Sequence, residues 1–247
     1  MISLVVCSRN KTVLRELQSN VDKTIGAPYE FVVIDNLDNQ YNISQAYNLG
    51  VEKAKFENLV FVHEDVLFLT KDWGSLLTNA LRNEEIGAVG VAGTNYLNER
   101  GIWAEVGVPF VKGRVVHQDK DRLFLSTYSE GNQEEEVVTL DGVFLAARKE
   151  VAREIPFDGE TLNGFHFYDA DWSLRVAQKY RVIVLSSLLL LHKSYGKKDT
   201  DPDYERLRQR FLGKHDAILP FTNQSLKPDY KNIQFYKERE LKKKDEV

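Results

Sequence analysis

Leu59-Val60-Phe61-Val62-His63-Glu64-Asp65 decides how this chain is read. Four apolar residues make a short strand buried on both faces, and three polar residues follow at once. In open α/β sheets, ligands bind just outside the carboxyl ends of the strands. His63 and Asp65 would emerge at such an edge. Two later segments answer this one. Tyr168-Asp169-Ala170-Asp171-Trp172 opens a helix with paired carboxylates, and Leu188-Leu189-Leu190-Leu191-His192 ends an apolar run in a histidine. Converged, these groups suit a divalent cation, a phosphorylated ligand and a carboxylate base. Each also has an ordinary role. Asp65 can simply end a strand, a lone histidine is more often a satisfied structural side chain, and acids in a first helical turn are favoured by the helix dipole.

Outward from that stretch, strands and helices alternate. Residues 2–7 read as a central strand, 12–21 as a helix and 31–34 as a second strand stopped by Asp35-Asn36. Residues 44–55 read as a helix capped by Asn42 or Ser44. Trp73, Leu76, Leu77, Ala80 and Leu81 form the apolar stripe of a helix over 72–82, and 86–91 read as a fourth strand. This βαβαβαβ order predicts a doubly wound, mostly parallel sheet. Residues 94–133 read as short strands and loops, and Glu134-Glu135-Glu136 as a solvated rim. Two strands flank Asp141-Gly142, at 137–140 and 143–147. A helix over 168–179 and a strand at 182–185 follow. Asp201-Pro202-Asp203 predicts the start of a helix over 201–212, with Gly213 as its stop.

Composition narrows the function. The chain has 247 residues, 43% hydrophobic and 28% charged, enough for one large domain or a domain with an appendage. A net charge of -4 argues against a general nucleic-acid binder. The single cysteine, Cys7, points to a reducing compartment, and the apolar run after Met1 is too short for a signal core. The expected location is the cytoplasm. No Walker loop, dinucleotide fingerprint, nucleophile elbow or zinc spacing occurs. The strand-end polar residues Ser8, Arg9, Asn10 and Asp35 can hold a nucleobase and ribose, although each is also an ordinary turn residue. Arg148-Lys149 can meet a diphosphate or start a solvated helix. A carboxylate near a metal, such as Asp169, can take a proton from a hydroxyl being activated. Imidazole beside carboxylate suits manganese.

Taken in order, the segments resemble the family 2 glycosyltransferases. Leu4–Asn10 looks like the family's opening strand, and Phe31–Asn36 like its base-reading strand. Ala46-Tyr47-Asn48-Leu49-Gly50-Val51 resembles the A-x-N-x-G-I helix. Phe61–Asp65 sits where the family carries D-x-D, with His63 in place of the first Asp. Asp141–Val151 looks like the segment beside the acceptor site. Tyr168–Arg175 resembles E-D-x-D-L-x-x-R, with Tyr168 in place of the Glu, and His192 matches a late histidine of the metal shell.

The resemblance implies a GT-A (Rossmann-like) α/β fold with a mostly parallel sheet flanked by helices. It implies a glycosyltransferase unit over 1–195, with a nucleotide-binding half at 1–93 and an acceptor half at 94–195, and a C-terminal helical extension over 196–247. The implied activity is inverting transfer from a nucleoside-diphosphate sugar, a UDP-sugar first, to a glycan or lipid-linked acceptor in surface glycan synthesis. Mn2+ or Mg2+ would be held by Asp65 and His192 with His63. Ser8, Arg9, Asn10, Asp35, Asn48 and His63 would bind the donor, and Asp169 would be the base. The extension is expected to cover the acceptor cleft, to mediate self-association or to touch the inner face of the membrane. Two other classes stay open: a non-catalytic sugar-nucleotide-binding or scaffold protein of the same fold, and a sugar nucleotidyltransferase.

Overall fold

Every residue of Ile2–Ser8 (β1) is buried, the polar Ser3 and Ser8 included, as a central strand covered on both faces requires. Alternation along that strand feeds two separate cores. Ile2, Leu4 and Val6 join one, while Val5 and Cys7 join the other. The computed structural model describes residues 1–129, 134–194, 202–222 and 237–241. The first half continues through α1 (Lys11–Thr24), β2 (Tyr29–Asp35), α2 (Ile43–Lys53), β3 (Asn58–Val62), β4 (Val66–Phe68), α3 (Trp73–Leu81), β5 (Ile86–Gly90), β6 (Ala92–Thr94) and β7 (Tyr96–Leu97). Then come a 3-10 turn (Trp103–Val106), β8 (Val111–Asp119), β9 (Arg122–Thr127), β10 (Glu134–Val137), β11 (Thr139–Leu140), β12 (Phe144–Arg148), α4 (Lys149–Glu154) and α5 (Tyr168–Ala177). The chain closes with β13 (Arg181–Leu185), β14 (Leu190–His192), α6 (Pro202–His215), β15 (Phe221–Thr222) and β16 (Lys237–Leu241).

The main sheet has seven strands in the order β10-β13-β5-β12-β3-β1-β2. Strands β1, β2, β3, β5 and β13 share one direction, and β12 and β10 oppose it. The expected parallel array is therefore interrupted, because β12 inserts antiparallel between β3 and β5. It can do so because Phe144, Leu145, Ala146 and Ala147 are all buried there. Helices α1 and α3 cover one face through Leu17, Val21, Trp73 and Leu77. Helices α2 and α5 cover the other through Tyr47, Val51, Trp172 and Val176. Asn42 caps α2 in a full capping box with Gln45, and Asn10 caps α1 by accepting from the Thr12 and Val13 N–H groups.

A second sheet runs β11-β6-β8-β14-β4, with β9 and β16 continuing from β8. Its β8–β9 hairpin occupies much of the region read as short strands and loops. Gly113 sits in β8 at φ +97°, where an added Cβ would come within 1.9 Å of the Val91 carbonyl oxygen. Only glycine permits that approach of β8 to the neighbouring backbone.

Two expectations change here. Glu134-Glu135-Glu136 is strand β10 at the edge of the main sheet: Glu134 is exposed, but Glu135 is partnered by Lys112 (3.3 Å) and Ser186 (2.9 Å) and Glu136 by Arg181 (3.0 Å). Helix α6 runs past Gly213 to His215, because tertiary contacts hold its last turn. Asp171, 0% exposed, accepts from Arg175 Nε (2.9 Å) and Nη2 (2.8 Å) through Oδ2. Its Oδ1 meets His215 Nε2 at 2.8 Å and Lys214 Nζ at 2.7 Å. Lys214 also bonds Asp158 at 2.6 Å. Apolar contacts of Leu207 and Phe211 complete the seat of α6 on α5. The expected cap at Asp201 lies outside the described residues. Among the described residues, no helix is long and apolar enough to cross a membrane.

Candidate active site and metal centre

Strand register builds the first half of the site. Strand β3 ends at Val62, the turn His63-Glu64-Asp65 follows, and β4 starts the second sheet. Strand β14 pairs antiparallel with β4, placing His192 opposite Val66. The Lys193 N–H closes the step by donating to the Asp65 carbonyl at 3.0 Å. His192 therefore arrives from the second sheet rather than from the edge of the main one. Its Nε2 lies 3.5 Å from Asp65 Oδ1 and 3.0 Å from Ser194 Oγ. One ligand atom each from His63, Asp65 and His192 lies within 4.8 Å of the others. One carboxylate and two imidazoles form a mixed oxygen and nitrogen donor set. It fits Mn2+ better than Mg2+, which prefers oxygen alone. Burial would raise the Asp65 carboxyl, but the hydrogen bond and charge of His192 outweigh it and hold the group below its ordinary value. Burial, then the neighbouring His192, lowers His63 to about 4. The imidazole is neutral at pH 7, the form that binds a metal.

The start of α5 builds the second half. Phe167, in the left-handed region at φ 62°, turns the chain sharply into the helix. The Tyr168 hydroxyl donates to the Gly142 carbonyl at 3.0 Å, and Asp169 Oδ2 accepts from the Gly142 N–H at 2.7 Å. A Cβ on Gly142 would lie 2.2 Å from Tyr168 Oη, so the close approach needs glycine. Burial first, then the charge of Asp141, raises the Asp169 carboxyl to about 6. His63, Asp65, Asp141, Asp169 and His192 line one cavity of about 270 Å³. Trp103, Phe165, His166 and Tyr204 supply its aromatic walls, Tyr204 coming from α6. Arg9 lies over the Phe165 ring, 5.5 Å from its centroid.

The residues read as donor-binding divide into three groups. Ser8 Oγ donates to Glu64 Oε2 at 2.7 Å, and the Arg9 and Asn10 N–H groups donate to the same carboxylate at 3.1 Å. That turn is thus tied to the strand end that carries His63 and Asp65. Asp35 pairs with Ser8 in the sheet register. With Ser8, Lys11 and Arg15 it lines a separate cavity of about 240 Å³. Asn48 stands elsewhere: its amide donates to the Phe157 carbonyl (2.8 Å) and accepts from the Phe157 N–H (3.0 Å), tying α2 to the loop before α5.

Arg148 and Lys149 do start a helix, as the N-cap and first residue of α4, but both are half-buried and their side chains are spent on backbone carbonyls. Strand β12 runs backwards, so its end at Arg148 lies beside Asn58, the entry of β3, opposite the site. Arg148 donates to the carbonyls of Leu81 (3.3 Å), Asn83 (3.3 Å), Glu84 (2.9 Å) and Ile86 (2.8 Å), and Lys149 Nζ to that of Ala54 (2.6 Å). Both cap helix ends. Three further groups join the site: Glu64, Asp141 and the Tyr168 hydroxyl. The sequence carries a signal for Asp141, an acid-glycine pair between two apolar strands.

The family described as "Glycosyltransferase like family" matches residues 3–215. None of the curated protein sequences matches the chain. Among solved structures, the chain is similar to GalNAc-T7 with UDP, GalNAc and Mn2+, at TM-score 0.59 and 12% identity, over 85% of this chain and 47% of that one. It is also similar to the mannosyltransferase PcManGT from Pyrobaculum calidifontis in complex with GDP-Man and Mn2+. There the TM-score is 0.53 and the identity 14%, over 85% of this chain and 60% of that one. The chain thus spans about half the length of the first and under two thirds of the second. At these identities the likeness establishes a fold, the GT-A fold of glycosyltransferases.

Proposed function

Because the chain belongs to the glycosyltransferase-like family, which places it among the transferases, we propose that it moves a sugar from a nucleoside-diphosphate sugar to an acceptor hydroxyl with inversion. The observation that carries this reading is one cavity holding both a three-residue metal group and a separate carboxylate raised to about 6. Asp65, His192 and His63 would hold the cation. When bound, it neutralises charge on the leaving diphosphate. Manganese suits the donor set, and both solved relatives named above were determined with Mn2+. The nucleoside is assigned to the Asp35 and Ser8 cavity, with UDP as the base-bearing group.

Asp169 takes the proton of the acceptor hydroxyl. A base with a pKa near 6 is ionised at neutral pH yet basic enough to share that proton in the transition state. The Gly142 N–H fixes one carboxylate oxygen, which orients the other pair of electrons without further reorganisation. Trp103, Phe165 and Tyr204 offer flat apolar faces for a sugar acceptor of a surface glycan and shield the reacting centre from water. On this reading residues 1–195 form the catalytic unit and the extension over 196–247 contributes α6 as a wall.

The test is calorimetric binding of UDP, GDP, dTDP and CMP, each with Mn2+ and with EDTA, followed by transfer assays with the sugars of the diphosphate that binds. Asp169→Asn should abolish transfer and leave nucleotide binding near normal. Full activity in that variant would remove Asp169 as the base, and no metal-dependent binding of any nucleotide by folded protein would remove the donor class.

A further inference from the structure

Tyr168 reaches the metal group from outside it. His63 Nε2 lies 2.8 Å from Tyr168 Oη, and the same oxygen is 3.0 Å from the Gly142 carbonyl. A phenol has one proton to give, and a carbonyl can only accept. The Tyr168 proton therefore goes to Gly142, and the phenol oxygen must accept from His63. That leaves His63 protonated on Nε2. A ring nitrogen that carries a proton cannot ligate a cation, so Nδ1 is the nitrogen with a free lone pair. Tyr168 is 3% exposed, and Gly142 has no side chain that could displace its hydroxyl. The arrangement is thus held by packing.

We infer that Tyr168 is a positioning residue of the metal centre: its hydroxyl fixes His63 in the Nε2–H tautomer and presents Nδ1 to the cation. The inference rests on the metal reading above. It also gives Gly142 two tasks. Its carbonyl anchors the partner of a metal ligand, and its N–H anchors the carboxylate of Asp169. One peptide residue thereby sets the metal centre and the base relative to each other.

Two measurements test it. The first is Mn2+ binding, read from the free-ion electron paramagnetic resonance signal as MnCl2 is added to the full chain, alone and with UDP. Outer groups that orient a histidine ligand are typically worth about 10–100-fold in metal affinity. Tyr168→Phe should weaken Mn2+ binding about tenfold in the wild-type background. In a His63→Ala background the same change should do nothing further, because the histidine it orients is gone. Unchanged affinity in Y168F, or an equal loss in both backgrounds, would overturn the inference while leaving the metal reading intact. Absence of Mn2+ binding by the wild-type chain would overturn both. The second measurement needs no Tyr168 variant. Long-range proton–nitrogen correlation on 15N-histidine-labelled, metal-free protein, with His63 assigned by its loss in H63A, should show Nε2 protonated above neutral pH. A predominant Nδ1–H form would refute the assignment.

Discussion

Replacing Asp171 by Asn should unseat α6. The substitution keeps the shape of the side chain but removes its charge and gives one of its two acceptor oxygens an N–H2 instead. Four contacts between 2.7 and 2.9 Å depend on that carboxylate: two from Arg175 and one each from Lys214 and His215. The carboxylate is wholly buried. Burial works to raise its pKa, but His215, Arg175 and Lys214 outweigh it and hold the group below its ordinary value. Removing one partner of a buried charge cluster costs about 3–5 kcal/mol, because the remaining charges stay desolvated without compensation. For a chain of this size each kcal/mol moves Tm by roughly 2–4 °C, so the loss should be about 6–20 °C. Calorimetry gives the Tm, and hydrogen exchange should show the loss of protection concentrated in Pro202–His215. Tyr204 rides on the same helix and lines the site cavity, so the acceptor KM should rise more than kcat falls. The pH sign follows from the lowered pKa: the clasp is fully present above the unfolded carboxylate value near 4 and is lost as pH falls through the folded one. A Tm drop under about 2 °C with α6 still protected would refute the reasoning, since it would put the buried carboxylate at surface-pair worth.

Further outcomes concern the base and the helix caps. If Asp169 is the base, kcat should fall on the acid side with a midpoint near its raised value of about 6, and Asp141→Asn should move that limb to lower pH, because burial and then the Asp141 charge raise the group. An acid limb that stays in place in D141N would detach Asp141 from the base. Arg148→Met should lower stability by about 1–3 kcal/mol, measured by urea unfolding, because it strips donors from the carbonyls beyond α3. Nucleotide affinity should not change, since Arg148 lies at the opposite edge of the sheet.

Legibility in the sequence follows the range of the interactions involved. A mostly apolar run such as residues 2–7 declares a central strand by composition alone, and Asn42 with Gln45 declares a helix start within four residues. The β8–β9 hairpin does not declare itself. Its buried Val111, Gly113 and Val115 alternate with half-buried Lys112 and Arg114, whose long stems cover apolar surface while their charges find distant partners. Glu134-Glu135-Glu136 misleads for the same reason. Three acids in a row look solvated, and Glu134 is, but the fold brings Lys112 and Ser186 beside Glu135 and Arg181 beside Glu136.

The site shows where local reading stops. His63 and Asp65 are neighbours in sequence, but His192 reaches them only because β14 pairs with β4 in one register. A slip of one residue would turn the imidazole to the other face of that sheet. The exchange of an acid for His63 and of another for Tyr168 looks, on sequence alone, like two separate erosions of a motif. In the fold the two side chains are 2.8 Å apart. An imidazole needs a partner to choose its tautomer, whereas a carboxylate does not. A carboxylate at position 168 would also add negative charge next to Asp169 and raise its pKa further. A phenol orients the imidazole without that charge. On this argument Tyr168 is the residue that a histidine at position 63 calls for, and the pair should be tested as one unit.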